Sequence, residues 1–192
     1  MELASLFPSE VYSDLALQLD RMQSLFPRYR DLHADLSRRH AVYVCAGSFP
    51  ERVGRQYHNR SYFFSPAGRF DFQEKLVMTR FQNERWLTRR GEGIKVFETA
   101  LGRIGINVCY DVEFPLIARA QAEAGALLIL APSGTDTLAG YHRVRVGRQA
   151  RALENQCFVV QAPTIGEARW SEAVDVNIGA ARVYAPARTC PL

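Results

Sequence analysis

The sequence predicts one α/β domain with helices packed on a sheet, and three observations carry that expectation. From about residue 102 onward, apolar runs and helix-like segments follow one another as strand, helix, strand, helix, strand, the pattern of a layered α/β fold. The first forty residues place apolar side chains every three or four positions, the period of an amphipathic helix. Between these regions lie two strand-like runs joined by a Pro-Ala-Gly turn. At 192 residues the chain suits one substantial core and is too short for two large ones, so residues 1–192 are taken as a single domain.

The elements follow in order. Val11, Leu15, Leu19, Met22, Leu25, Phe26, Tyr29, Leu32 and Leu36 form one helical face, with Asp20, Arg21, Asp31, Asp35 and Arg38 on the other. Proline lacks an N–H and clashes with the preceding turn, so a break or kink is expected at Pro27. His33 and His40 fall on the solvated side. "AVYVCAGSF" (41–49) scarcely alternates and is expected as a strand buried on both faces. "YHNRSYFFSPAGRFDF" (57–72) reads as two strands around a turn at Pro66, Ala67 and Gly68. Strand "RIGINVC" leads into helix "FPLIARAQAEAG", with Pro115 suited to the first turn and Gly125 to the position past the end. Strand "ALLILAP", a helix over about 141–155 and strand "CFVVQAP" complete the pattern.

Composition excludes several function classes. Lys and Arg exceed Asp and Glu by 24 to 20, but the positive charges are spread along the chain, so no nucleic-acid partner is expected. Arg143, Arg145, Arg148 and Arg151 alternate with Val144, Val146, Ala150 and Leu153, which suits a half-buried, ion-paired or interfacial helix better than a nucleic-acid patch. Cys45, Cys109, Cys157 and Cys190 form no CxxC pair and no metal-ligand spacing with the histidines, so reduced thiols, no metal and a cytoplasmic location are expected. No run is long enough for a membrane span and no signal-peptide pattern opens the chain.

In open α/β sheets, sites form beyond the carboxyl ends of the strands. Three such ends fall at Cys109, at "PSGTD" (132–136) and at "APTIG" (162–166). Cys109 stops an apolar run and is followed at once by Tyr110, Asp111 and Glu113, whereas Cys45 and Cys157 lie inside apolar strands and read as structural. A thiol at such a switch can act as a nucleophile if a base and an oxyanion-stabilising donor accompany it.

The stretch "GRIGINVCYDVEFP", with "LILAPS" after it, "EKLVMTRFQNERW" before it and "ARALENQCFVVQAPTIG" beyond, resembles the nitrilase superfamily, the carbon-nitrogen hydrolases. "YHNRSYFFSPAGRF" extends the resemblance over nearly the whole chain. The resemblance implies a four-layer α-β-β-α sandwich with a Glu, Lys and Cys triad and no cofactor. Carried over by position, it makes Cys109 the nucleophile, Lys75 the triad lysine, the Tyr110 amide part of the oxyanion hole, and Glu84 a further glutamate that positions lysine or substrate. "CYD" is closer to amidase-type members than to the "CWE" of nitrilases, which implies a small linear, non-peptide amide as substrate; the subunit contact that the family often makes near the region of Arg143 to Arg151 implies a homodimer or higher homo-oligomer.

The family's triad glutamate ends a first strand in an "FPE"-like context, and Glu2 has no apolar strand before it. The fold is therefore expected to be incomplete at its amino-terminal strand and after "YAPARTCPL", with poor amide turnover as a consequence. Two other readings stay open: a Cys-His hydrolase using His58 or His142, and an inactive relative retained for binding or assembly.

Overall fold

The computed structural model of the protein describes residues 3, 6–11, 14–85, 88–171 and 174–186. Glu2 and Cys190 lie outside them. The chain divides into two compact units, Met1–Gly91 with Glu167–Asp175, and Glu92–Gly166 with Val176–Leu192.

The first unit opens with helix α1 (Leu15–Met22), whose Asp14 Oδ1 accepts from the Leu17 amide at 2.9 Å as an N-terminal cap. A 3-10 turn at Gln23–Leu25 precedes α2 (Phe26–His40). Pro27 sits in the first turn of α2, where its missing N–H has no intrahelical acceptor to lose. The expected break therefore falls ahead of the proline. Strands β1 (Val44–Val53), β2 (Gln56–Phe64) and β3 (Phe70–Glu74) form an antiparallel meander. The short α3 (Arg80–Glu84) leads to β4 (Thr88–Arg89), which pairs parallel with β2. Gly68, at φ 75°, closes the predicted turn before β3.

Two expectations are corrected in this unit. The first strand runs to Val53 and is mostly half-buried instead of buried on both faces. Its register shifts between Cys45 and Ser48, where Gly47 takes φ 73°, so a bulge and not alternation governs its burial. β1 and β2 join through a two-residue turn, Gly54-Arg55, between the paired Val53 and Gln56, a signal that Gly54 at φ 62° explains. His33 is half-buried, with Nδ1 2.7 Å from the Tyr29 carbonyl and its ring 5.7 Å from that of Phe64, because α2 rests this face on an aromatic cluster. Met22, Ala34, Phe49, Tyr62 and Phe64 form that core.

The second unit holds a five-stranded sheet. Strands β5 (Val96–Thr99) and β6 (Gly102–Ile106) are antiparallel. After β6 come a 3-10 turn (Cys109–Glu113) and α4 (Pro115–Glu123), then β7 (Ala126–Ser133), α5 (Leu138–Asn155) and β8 (Phe158–Pro163). β6, β7 and β8 are mutually parallel, as crossover helices require. The ribbon strands β9 (Gly166–Ala168) and β10 (Asp175–Asn177) follow, and β11 (Arg182–Tyr184) adds antiparallel to β8. Pro115 and Gly125, at φ 89°, bracket α4 as predicted. The last long helix starts earlier than expected because Thr137 Oγ1 caps it, accepting from the Gly140 amide at 3.1 Å.

Val112, Ala118, Ile129, Ala131, Val144, Ala152, Cys157 and Val159 form this unit's core. Ile129→Ala would open a cavity at a fully buried position, and a loss of about 2–5 kcal/mol is expected in chemical denaturation.

Candidate active site

The Cys109 turn is built by its neighbours in sequence. β6 stops at Ile106, so Cys109 begins the 3-10 turn and does not end the strand. Asp111 folds the turn back: its buried Oδ2 accepts from the Val108 amide at 3.1 Å, and its own amide donates to the Val108 carbonyl at 3.2 Å. Val112, fully buried, pins the turn into the core. Pro115 then starts α4 where a chain already turning can enter a helix.

Cys109 itself takes φ 54°. A non-glycine residue in the left-handed region is strained by roughly 1–3 kcal/mol and persists where its surroundings impose it. Its half-buried Sγ lies 3.4 Å from the Gly134 carbonyl, just past the carboxyl end of β7. The Tyr110 N–H lies in the first turn of the 3-10 segment, where backbone donors lack an internal acceptor. The Tyr110 ring stands edge-on to Phe114 at 5.0 Å and under Arg143 at 5.7 Å. Arg143 in turn bonds Glu113 at 2.9 Å, a pairing that raises its already high pKa.

Lys75 and Glu84 belong to the first unit. Lys75 directly follows β3, with its backbone held on both sides: its amide donates to the Asn59 carbonyl and its carbonyl accepts from the Gly91 amide, both at 2.8 Å. The residue is 2% exposed, and no ion pair joins it to a carboxylate among the described residues. Lysine is seldom buried without a counter-charge. Glu84 is exposed on α3 and bonds Arg80 at 2.8 Å. His58 stands 3.2 Å from Glu74, and His142 is exposed beside Tyr141. Among the described residues no group of three His, Cys, Asp or Glu could hold a metal, and no helix is long and apolar enough to cross a membrane.

Sequence reasoning marked Cys109 and the "PSGTD" strand end that supplies the Gly134 carbonyl. It missed the depth of Arg148 and Arg151, which are buried. The signal was present: both share a helix face with Val144 and Ala152 at spacings of three or four.

Burial pushes the Cys157 thiol up to about 11 and raises the Cys45 thiol, so both stay protonated and unreactive near neutral pH. Iodoacetamide should therefore modify Cys109 ahead of Cys45 and Cys157 at neutral pH. Peptide mapping after brief labelling checks the order, and earlier reaction at Cys45 or Cys157 would contradict it.

A profile of the carbon-nitrogen hydrolase family matches residues 28–187. The probable hydrolase YhcX of Bacillus subtilis (strain 168) is 36% identical over 172 residues, covering 89% of this chain and 33% of that protein. Omega-amidase NIT2-B of Xenopus laevis is 26% identical over 178 residues, covering 84% of this chain and 63% of that protein. Among solved structures, Saccharomyces cerevisiae Nit3, a member of branch 10 of the nitrilase superfamily, aligns with a TM-score of 0.74 at 23% identity, over 82% of this chain and 57% of that one. That likeness shows a nitrilase-type α/β fold. The chain thus spans between a third and just under two thirds of these relatives' lengths.

Proposed function

The chain belongs to the carbon-nitrogen hydrolase family, and on that premise we propose that it hydrolyses a linear, non-peptide amide through a thioester on Cys109. The carrying observation is the left-handed Cys109 in a rigid turn beyond the carboxyl end of β6. A fixed, half-buried thiol among backbone donors is suited to attack a carbonyl and to share its oxyanion. Relatives named omega-amidases support an amide substrate.

In the proposed sequence, Cys109 Sγ attacks the amide carbon, and the carbonyl oxygen takes negative charge against the Tyr110 N–H and the Lys75 ammonium. The thiol proton passes to the leaving nitrogen, the C–N bond breaks, and ammonia or an amine departs. Water then attacks the thioester, releasing the acid and returning the proton to sulfur. A carboxylate is needed to carry these protons. Glu84 enters as the glutamate that positions lysine or substrate; its exposed pair with Arg80, worth about 0.3–0.5 kcal/mol, is weak enough for a competing partner to displace.

The test is ammonia release from small aliphatic amides by the parent and by Lys75→Ala, Glu84→Gln, Glu2→Gln, His58→Ala and His142→Ala. The reading expects loss in Lys75→Ala and retention in both histidine variants. The reverse pattern would favour Cys-His chemistry and overturn it. Loss in Glu84→Gln supports its positioning role, and a glutamate variant whose turnover also loses its dependence on pH identifies the proton carrier.

We also propose a second copy of this chain as a partner. Leu138, Val146 and Leu153 lie along the outer face of α5, each more than half exposed, and such an apolar stripe suits a subunit contact. Sedimentation of the parent and of Val146→Asp should show a dimer in the first and dissociation in the second.

A further inference from the structure

Arg148 is the largest of the fully buried side chains, 1% exposed. Its Nη2 donates to the Ala131 carbonyl at 3.1 Å, and its Nε has no hydrogen-bond partner. The neighbouring arginines are neutralised differently: Arg143 bonds Glu113, and Arg151 bonds Glu154 at 2.6 Å. No carboxylate pairs with Arg148 among the described residues. A buried cation without a counter-charge is disfavoured by several kcal/mol, which suits a site where negative charge develops nearby.

The geometry points to Arg148 as a positioning residue for the proposed nucleophile, a buried, unpaired guanidinium on the helix that packs against the Cys109 turn, which stabilises negative charge on the Cys109 sulfur. The inference rests on the hydrolase reading of Cys109 above.

α5 lies directly on that turn. A Cβ at Gly147 would come within 3.2 Å of the Val112 carbonyl oxygen and 3.6 Å of Glu113 Cα, and Arg151 Nη1 donates to the same Val112 carbonyl at 3.2 Å. Arg148 therefore approaches from the helix that grips the turn three residues beyond the sulfur. Burial pushes its pKa down to about 10, which leaves it charged at neutral pH; among groups able to bear negative charge, Cys109 pulls on it most, ahead of Tyr184, Tyr141 and Glu113. Glu113 is already engaged by Arg143, and Asp111 by the Val108 amide. Tyr184, raised by burial, stays neutral near pH 7. The cations of α5 on this side are Arg143 and Arg151, which bond Glu113 and the Val112 carbonyl of the turn, and Arg148, which bonds the Ala131 carbonyl. Of these, Arg148 is the most deeply buried and, unlike Arg143 and Arg151, pairs with no carboxylate among the described residues, so screening by solvent weakens its field least.

The test compares iodoacetamide alkylation of Cys109 in the 192-residue chain and in Arg148→Met and Arg148→Lys, at about pH 7 and about pH 10, with Cys157 labelling read in the same digests. Loss of the charge should slow Cys109 alkylation by roughly 3- to 10-fold at pH 7 in Arg148→Met. The rates should converge at pH 10, and Arg148→Lys, whose ammonium is more readily neutralised when buried, should fall between the parent and Arg148→Met at pH 7. A purely structural residue would slow the reaction at both pH values. Equal rates at pH 7, or equal slowing at both, overturn the inference. If faster Cys157 labelling shows a loosened core in Arg148→Met, Arg148→Gln takes its place under the same criteria. Failure of the hydrolase reading looks different: Cys45 or Cys157 would label ahead of Cys109 in the parent, or Cys109→Ala would keep its amide turnover.

Discussion

Cys109→Ala should remove at least about 10³-fold of whatever amidase rate the parent shows, because no neighbouring group can replace a covalent nucleophile and only binding and oxyanion stabilisation would remain. The fold should survive the change. Alanine accepts the same turn, and the thiol's polar contact to the Gly134 carbonyl is a long one, at 3.4 Å. Cys109→Gly makes the stronger comparison. Glycine adopts φ 54° freely, relieving about 1–2 kcal/mol of left-handed strain against an entropic penalty of about 0.5–1 kcal/mol. A protein that is inactive yet more stable by roughly 0.5–1 kcal/mol is the expected result, since strain of this kind is retained where the strained side chain has work to do. Ammonia release and chemical denaturation on parent, alanine and glycine variants check both halves. A glycine variant that loses stability would show that the turn is not held against its own preference.

Arg151→Glu should destabilise the fold by about 3–5 kcal/mol, a large share of the 5–15 kcal/mol typical of a domain. Arg151 is 6% exposed; Nη1 donates to the Val112 carbonyl, and the guanidinium pairs with Glu154. Reversal removes the donor from a buried carbonyl and sets two carboxylates three residues apart on one helix, where like charges repel. The Cys109 turn would lose a support along with the core, so increased Cys157 labelling and a lowered thermal transition should appear together. Retention of the parental transition would mean that Arg151 can leave the interior without penalty. Strong, salt-sensitive nucleic-acid binding lost in this variant would instead favour a basic-patch role for α5.

Both predictions concern residues whose legibility in the sequence differed sharply. By itself the sequence determined what local chemistry controls: an amphipathic amino-terminal helix broken near Pro27, a turn at Gly68, α4 bracketed by Pro115 and Gly125, and three strand ends that put Cys109 at the edge of a parallel sheet. These features depend on backbone dihedrals, missing N–H groups and apolar periodicity within a few residues, so a short stretch of chain suffices to specify them. The tertiary structure alone decided what depends on distant neighbours. α2 buried one side of His33 by resting it on Phe64, and the bulge at Gly47 left β1 half-covered. It likewise buried Arg148 against the Ala131 carbonyl and Arg151 against the Val112 carbonyl while leaving Arg143 on the surface with Glu113. Burial and charge pairing are set by which faces meet across the fold, and an arginine carries the same letters whether its guanidinium ends in water or against a buried carbonyl.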